Sequence, residues 1–288
     1  MNTEETSWTK YKRNEYHQLL LDSILTINSK GIPSIADSSS KLSIRIAQGI
    51  AEILNSRKAE KVVAQTSGKQ FEELNMIFLQ SMLPSLGTFR PGKWTVQRLG
   101  NVNKKGISNF EQYSHLEELN ELANANKVLA TALGRDYMVC PDVVIYRDPL
   151  TDEELNNSSL LVDDNVALKT ILRKSNGGKK ILHASVSSKW TIRSDRSQNS
   201  RTEALNLIRN RKGHLPHIVV ITAEPLPSRI ASIALGTGDI DCVYHSFLYE
   251  LIDSVKSIGA EDALEMLNIM IEGKRLKDIS DLPFDLMI

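Results

Sequence analysis

ILHASVSSKWTIRSDRSQNSRTEALNLIRNRKGHLPHIVVITA, residues 181–223, decides the fold. Its opening run, Ile181–Lys189, and its closing run, His217–Ala223, are short and β-branched, and about 200–211 between them has helical spacing. A strand–helix–strand order returns the chain to the same end of a sheet, so it implies a parallel pair. Side chains alternate across a strand. Leu182, Ala184, Val186 and Ser188 therefore face one way, and His183, Ser185, Ser187 and Lys189 the other. The second face is polar, and Lys189 at its end is costly to bury unless it serves a partner or a reaction. An edge strand with a solvated lysine gives the same pattern.

Upstream, Pro141-Asp142 opens the short β-rich run Val143–Tyr146, and Lys93–Leu99 alternates like another strand. Helical spacing marks 11–28, a stretch capped by Ser39 or Ser40 that carries Leu42, Ile46, Ile50, Ile53 and Leu54, and 111–133. The stripe Phe71, Leu74, Phe78 and Met82 marks a further helix that ends ahead of Pro84. Residues 148–180 are polar and irregular, with a weak helix near 165–173 and a turn at Gly177-Gly178. Helices are expected again near 243–257 and 261–271. No repeat, low-complexity segment or linker stands out. The expectation is one α/β domain over 1–288, a mixed central sheet flanked by helices, with its core at about 65–225.

Lys plus Arg and Asp plus Glu both number 35, so net charge says nothing about partners. The distribution says more: Lys189, Arg193, Arg196, Arg201, Arg209, Arg211 and Lys212 crowd one segment against Asp195 and Glu203. Such a block suits an anionic partner, or simply a solvated face. Cys140 and Cys242 each sit beside apolar residues and are expected to be buried free thiols. The polar start has no apolar signal-peptide core, and no apolar run approaches the roughly 18 residues of a membrane span. A cytoplasmic protein with no membrane partner is expected. The six histidines form no zinc pattern, and GTGD at 236–239 is too short for a phosphate loop.

Phosphodiester hydrolysis needs an oxygen-rich divalent-metal site and a cation near the attacked phosphate. Asp142 beginning one strand and Lys189 ending the next can converge if those strands pair. A simple turn acid accounts for Asp142 equally well. With Ser187, and with the order helix–strand–strand–strand–helix–strand around them, these residues resemble the PD-(D/E)XK nuclease superfamily. The departure is Ser187, where that pattern has a carboxylate. Glu203, 14 residues beyond Lys189, can return a carboxylate to the same place. A displaced acid of this form is a feature of restriction enzymes that recognise a central CCGG. Alone, Ser200-Arg-Thr-Glu203 reads better as a helix capping box. The resemblance also puts Glu72 at the metal site; alone, it is one more helix carboxylate beside Glu73.

Arg193, Asp195 and Arg196 follow Lys189. Arginine contacts guanine O6 and N7 bidentately and aspartate accepts from cytosine N4, so two copies of this segment can read CCGG. A surface salt-bridge cluster is the plainer alternative. KWTIRSDR, LNLIRNRKGHLPHIVVITAEP and PSRIASIALGTGDIDCVYH together closely resemble the NgoMIV restriction endonuclease family, specific for GCCGGC, from about residue 15 onward. The resemblance implies Mg²⁺ dependence, duplex DNA as substrate, cutting after the first G to leave 5′ overhangs, and a homotetramer acting on two sites. It also implies a cognate DNA methyltransferase as genetic partner. By match, Gln65 is a minor-groove contact and Arg229 a reader of the outer G·C pair, with Asp37 beside it. A repair or junction-resolving nuclease, or a non-catalytic DNA-binding protein, remains the alternative to a restriction enzyme.

Overall fold

The computed structural model describes residues 6–55, 64–100, 106–133, 138–236 and 238–288; the side chains of 64, 65, 133 and 194–197 lie outside the described set. Among the described residues, six strands form one sheet in the order of the chain: β1 (Trp94–Arg98), β2 (Val143–Arg147), β3 (Ile181–Lys189), β4 (His217–Thr222), β5 (Cys242–His245) and β6 (Leu276–Asp278). β1, β2 and β3 run antiparallel in turn, and β3 to β6 run parallel. The β3–β4 pair is the parallel crossover expected from residues 181–223. β3 is internal, so the edge-strand explanation of its polar face fails. The start of β2 and the ends of β3, β4, β5 and β6 consequently share one end of the sheet.

Eleven helices surround it: α1 (Trp8–Ser23), α2 (Lys41–Ile53), α3 (Ala64–Met82), α4 (His115–Ala125), α5 (Lys127–Leu133), α6 (Asp152–Leu155), α7 (Ser194–Asn210), α8 (Pro227–Ala234), α9 (Leu248–Ser257), α10 (Glu261–Glu272) and α11 (Leu282–Asp285), again among the described residues. α2 starts where Ser40 Oγ accepts the Ser43 N–H, as the sequence predicts. It crosses α9 so closely that a Cβ on Gly49 would come within 2.2 Å of Ser254 Oγ, which itself donates to the Ile46 carbonyl. α3 lays Phe71, Leu74 and Phe78 into the core, with the Phe71 ring 5.1 Å from Trp190 just past β3. Truncating a buried ring of this kind costs about 3–5 kcal/mol.

Several expectations fail, each for a local reason. The first helix stops at Ser23, because the chain turns back and bridges Ile27 to Pro33. The expected 111–133 helix opens with a short 3₁₀ turn and then splits at Asn126, whose Oδ1 accepts the Val128 and Leu129 N–H groups and starts α5. No helix forms at 165–173. There Arg173, buried, donates to the carbonyls of Asp163 and Val166 and to both oxygens of Asp152, holding the chain as a loop. The helix of that insert is α6, closed by a Thr151/Glu154 capping box. α7 begins at Ser194, earlier than expected. The stretch 243–257 is a strand, β5, followed by α9. α8, β6 and α11 are elements the periodicity does not reveal. Cys140 is only half-buried, Cys242 fully so, and both are free.

The polar face of β3 turns out to be covered by protein. His183 packs against Trp94 at 4.6 Å and His217 at 5.0 Å between ring centroids, and its Nε2 lies 2.7 Å from the Leu286 carbonyl. Burial lowers its pKa to about 4, so at neutral pH the ring is uncharged.

Candidate active site and recognition cleft

Asp142 stands one residue ahead of β2, and the pairing of Val143 with Val186 puts it opposite Ser187. Its Oδ2 accepts the Ser188 backbone N–H at 2.7 Å and Lys189 Nζ at 3.1 Å. The two ion-paired side chains are 23% and 16% exposed, so this is an ammonium drawn out of water toward one carboxylate. Asp142 is thus bonded across the sheet to β3, and the two strands bring their charged ends together.

Glu72 reaches the same place from α3. Its side chain is 19% exposed against 57% for Glu73, which decides that Glu72 is the one turned inward. Arg98, closing β1, stands 3.6 Å from it. Burial raises the Glu72 pKa and the charge of Asp142 raises it further, while Arg98 and Lys189 pull it down. Glu203, in the middle of α7, is raised by burial too, with Lys189 opposing and Asp142 adding. Glu72 and Glu203 thus share an electrostatic neighbourhood with Asp142 and Lys189. Because α7 starts at Ser194, Ser200 is interior to the helix and the capping-box explanation of Glu203 is excluded. Ser187 Oγ is buried without a hydrogen-bond partner among the described residues.

Among the described residues no three His, Cys, Asp or Glu side chains are grouped closely enough to form a ready metal cage. A magnesium ion does not require one. It is held by one or two carboxylates and keeps several waters, and every donor here is a hard oxygen. Asp142 and Glu203 can hold such an ion, with Glu72 close by. Two desolvated carboxyls with raised pKa are groups a cation would relieve, and the buried Ser187 hydroxyl beside them has no hydrogen-bond partner among the described residues. The residues therefore fit the ion.

A second cluster lies past the ends of β3 and β4. Asp37, Arg193 and Arg229 line one open cleft of about 570 Å³ with Ile192 and Ser228. Asp37 is bonded to the Arg229 guanidinium and accepts the Ser39 N–H and hydroxyl, at 2.9 and 2.7 Å. These three bonds hold its carboxyl well below the ordinary range, the Ser39 hydroxyl most strongly. Arg193 is exposed and occupies the N-cap position of α7. Gln65 lies in the first turn of α3, and Asp195 and Arg196 in the first turn of α7. The side chains of these three lie outside the described residues.

Sequence reasoning missed Asn75, Ser188 and Glu224. Asn75 is fully buried one turn along α3 from Glu72; it donates to Ser188 Oγ at 3.0 Å and accepts from the Tyr16 hydroxyl at 2.6 Å. Its spacing of three from Glu72 was the available signal. Glu224, fully buried just past β4, had none beyond its position after an apolar strand.

The model of the NgoMIV restriction enzyme family matches residues 16–288. The type II restriction enzyme NgoMIV of Neisseria gonorrhoeae is 52% identical over 279 residues, covering 96% of this chain and 98% of that protein. Two solved structures are distantly similar. The type IIF restriction endonuclease Bse634I with cognate DNA shares 15% identity at a TM-score of 0.41, over 85% of this chain and 91% of that one. The restriction endonuclease PspGI in complex with substrate DNA shares 13% at 0.26, over 97% and 91%. By its family model and its Neisseria relative, the chain belongs to the NgoMIV restriction enzyme family and is a type II restriction enzyme, a site-specific deoxyribonuclease.

Proposed function

We propose that this enzyme is a PD-(D/E)XK nuclease that hydrolyses duplex DNA at GCCGGC with Mg²⁺, after the first G, leaving CCGG as 5′ overhangs. The observation that carries the catalytic part is the Asp142–Lys189 pair, with Glu72 and Glu203 in its electrostatic field. Asp142 and Glu203 would hold the metal, with Glu72 and Ser187 beside them. When bound, the metal supplies Lewis acidity and lowers the pKa of water. Lys189, aimed by Asp142, orients the attacking water and meets the negative charge that grows on the scissile phosphate. Arg193, Asp195 and Arg196 read the central CCGG in the major groove, Arg229 beside Asp37 reads the outer pair, and Gln65 lies toward the minor groove. The shared cleft of Arg193, Arg229 and Asp37 supports that assignment.

The whole chain acts as one endonuclease domain in a homotetramer. What supports assembly is the loop clamped by Arg173. Asn156 and Asn176 pin it further, yet Leu160 and Leu161 on it are 79% and 61% exposed, with Val166 and Leu168 also outward. No helix among the described residues is long and apolar enough to cross a membrane. A cytoplasmic enzyme with a protecting methyltransferase is the corresponding cellular setting. The test is digestion of plasmid DNA carrying GCCGGC. Discrete fragments with Mg²⁺, none with chelator, and none from DNA methylated within the site are expected. Cutting confined to junctions, or bands from plasmids lacking GCCGGC, would sink the reading.

A further inference from the structure

We infer that Glu224 is a positioning residue for sequence specificity: one buried carboxylate ties together the two backbone segments that present Arg193 and Arg229 to DNA. The inference rests on the reading of those arginines as base contacts. Glu224 is 0% exposed. Its Oε2 accepts the Ile192 N–H at 2.7 Å, and Ile192 immediately precedes Arg193 at the start of α7. Its Oε1 accepts the Leu226 N–H at 3.1 Å, and Leu226 is the N-cap residue of α8, whose first turn carries Arg229. The two segments leave different strands, yet they meet on one side chain.

The carboxylate is itself anchored. Thr222 Oγ1 accepts the Glu224 N–H at 3.1 Å, and His245 Nε2 lies 3.0 Å from the Glu224 carbonyl. His245 Nδ1 accepts the Phe247 N–H, so Nε2 carries the ring hydrogen and donates. The clamp is thereby bolted to β4 and β5. Arg229 Nη1 approaches Glu224 Oε2 to 4.0 Å while Nη2 is held by Asp37, so the guanidinium is braced from both sides. Burial pushes the Glu224 carboxyl up to about 7, against the two N–H groups that pull it down. A buried acid is a costly way to fill space. An amide of the same shape would turn a donor NH₂ toward one of the two N–H groups, whereas a carboxyl group offers an acceptor oxygen to each segment. Bidentate base reading tolerates misplacement of only about half an ångström, which is what such a clamp protects.

The experiment is competition binding in metal-free buffer at fixed salt, with GCCGGC and scrambled duplexes. It compares wild type, Glu224→Gln, Arg193→Ala, Arg229→Ala and the two double variants. Glu224→Gln is expected to weaken cognate binding by roughly tenfold or more and leave scrambled binding nearly unchanged. In the Arg193→Ala and Arg229→Ala backgrounds the same change is expected to cost much less, because the residue it acts through is gone. Parallel loss of both affinities in Glu224→Gln, or strict additivity with both arginine variants, overturns the inference. If instead the single arginine variants themselves lose both affinities in parallel, the base-contact reading has failed and the clamp falls with it. Should Glu224→Gln not fold, hydrogen exchange of the wild type decides. The Ile192 and Leu226 amides are expected to be slow and to open together, and independent exchange would overturn the clamp.

Discussion

Lys189 carries a mostly buried ammonium paired with the carboxylate of Asp142, which also accepts a backbone N–H. Removing either member should leave the DNA contacts standing and take away the chemistry. Asp142→Ala and Lys189→Ala are each expected to abolish cleavage with cognate affinity retained, and near wild-type turnover with Mg²⁺ would remove that residue from the mechanism. Glu203→Ala separates two roles just as sharply. As a metal ligand it is expected to slow single-turnover cleavage by orders of magnitude with the melting temperature nearly unchanged; a drop in stability alone would return Glu203 to the structure. Asp142 and Lys189 could be picked out from their places at the ends of short apolar strands, whereas Glu203 and Glu72 sit among mostly polar neighbours and were suggested by the family resemblance alone. Asn75, Ser188 and Glu224 were not legible in the sequence. Each is an ordinary polar residue whose role comes from a backbone or hydroxyl partner far along the chain, 113 residues away for Asn75 and Ser188.

Helix α3 presents Glu72 toward Arg98 of β1 and Asn75 to Ser188 of β3, and the Asn75 bond sits next to both Lys189 and the N–H that Asp142 accepts. The element thus delivers a carboxylate and fixes its distance from the strand it serves. Asn75→Leu keeps the volume and cuts that bond, while Tyr16 retains its contact with Ser246. Single-turnover cleavage should fall about tenfold or more with cognate binding unchanged, as for other partners one shell behind a metal site. Equal loss of binding and rate would mean that α3 merely supports the fold. At this scale the sequence was read well where one period dominates, as in α2, α3 and β3. It misled where a strand runs straight into a helix. Cys242–His245 and Leu248–Ser257 are separated by two residues, both buried, so the apolar positions merge into one false helical stripe. β6, with three residues, is too short to show any period.

At the scale of the whole molecule, buried histidines couple folding to pH. Burial lowers His245 and His183 to about 4, below the ordinary 6.5. The folded state therefore binds fewer protons than the unfolded chain between those values, so their contribution is full above pH 6.5 and lost as pH falls toward 4. Glu224, raised to about 7, runs the other way: its contribution is full below the unfolded carboxyl range and lost as pH rises through 7. His245→Gln is expected to flatten the acid side of the melting-temperature curve, and an unchanged acid slope would exclude His245. Assembly gives the second measurement at this scale. A homotetramer holding two sites should cut a two-site plasmid faster than a one-site plasmid, and added cognate oligonucleotide should accelerate the latter. Equal rates with dimers in sedimentation would refute the assembly. A last consequence follows from the chain-ordered sheet, in which Asp142, Lys189 and the segments carrying Arg193 and Arg229 all lie at one end. Among the described residues the opposite end carries the 148–180 loop between β2 and β3 and, between α7 and β4, the exposed turn at Gly213, where φ is +82° and an added Cβ would meet nothing within 4 Å. That turn is a natural splice point for engineering. A fluorescent or affinity module inserted there would ride on the enzyme away from its substrate, and digestion of GCCGGC plasmid should proceed at the parental rate.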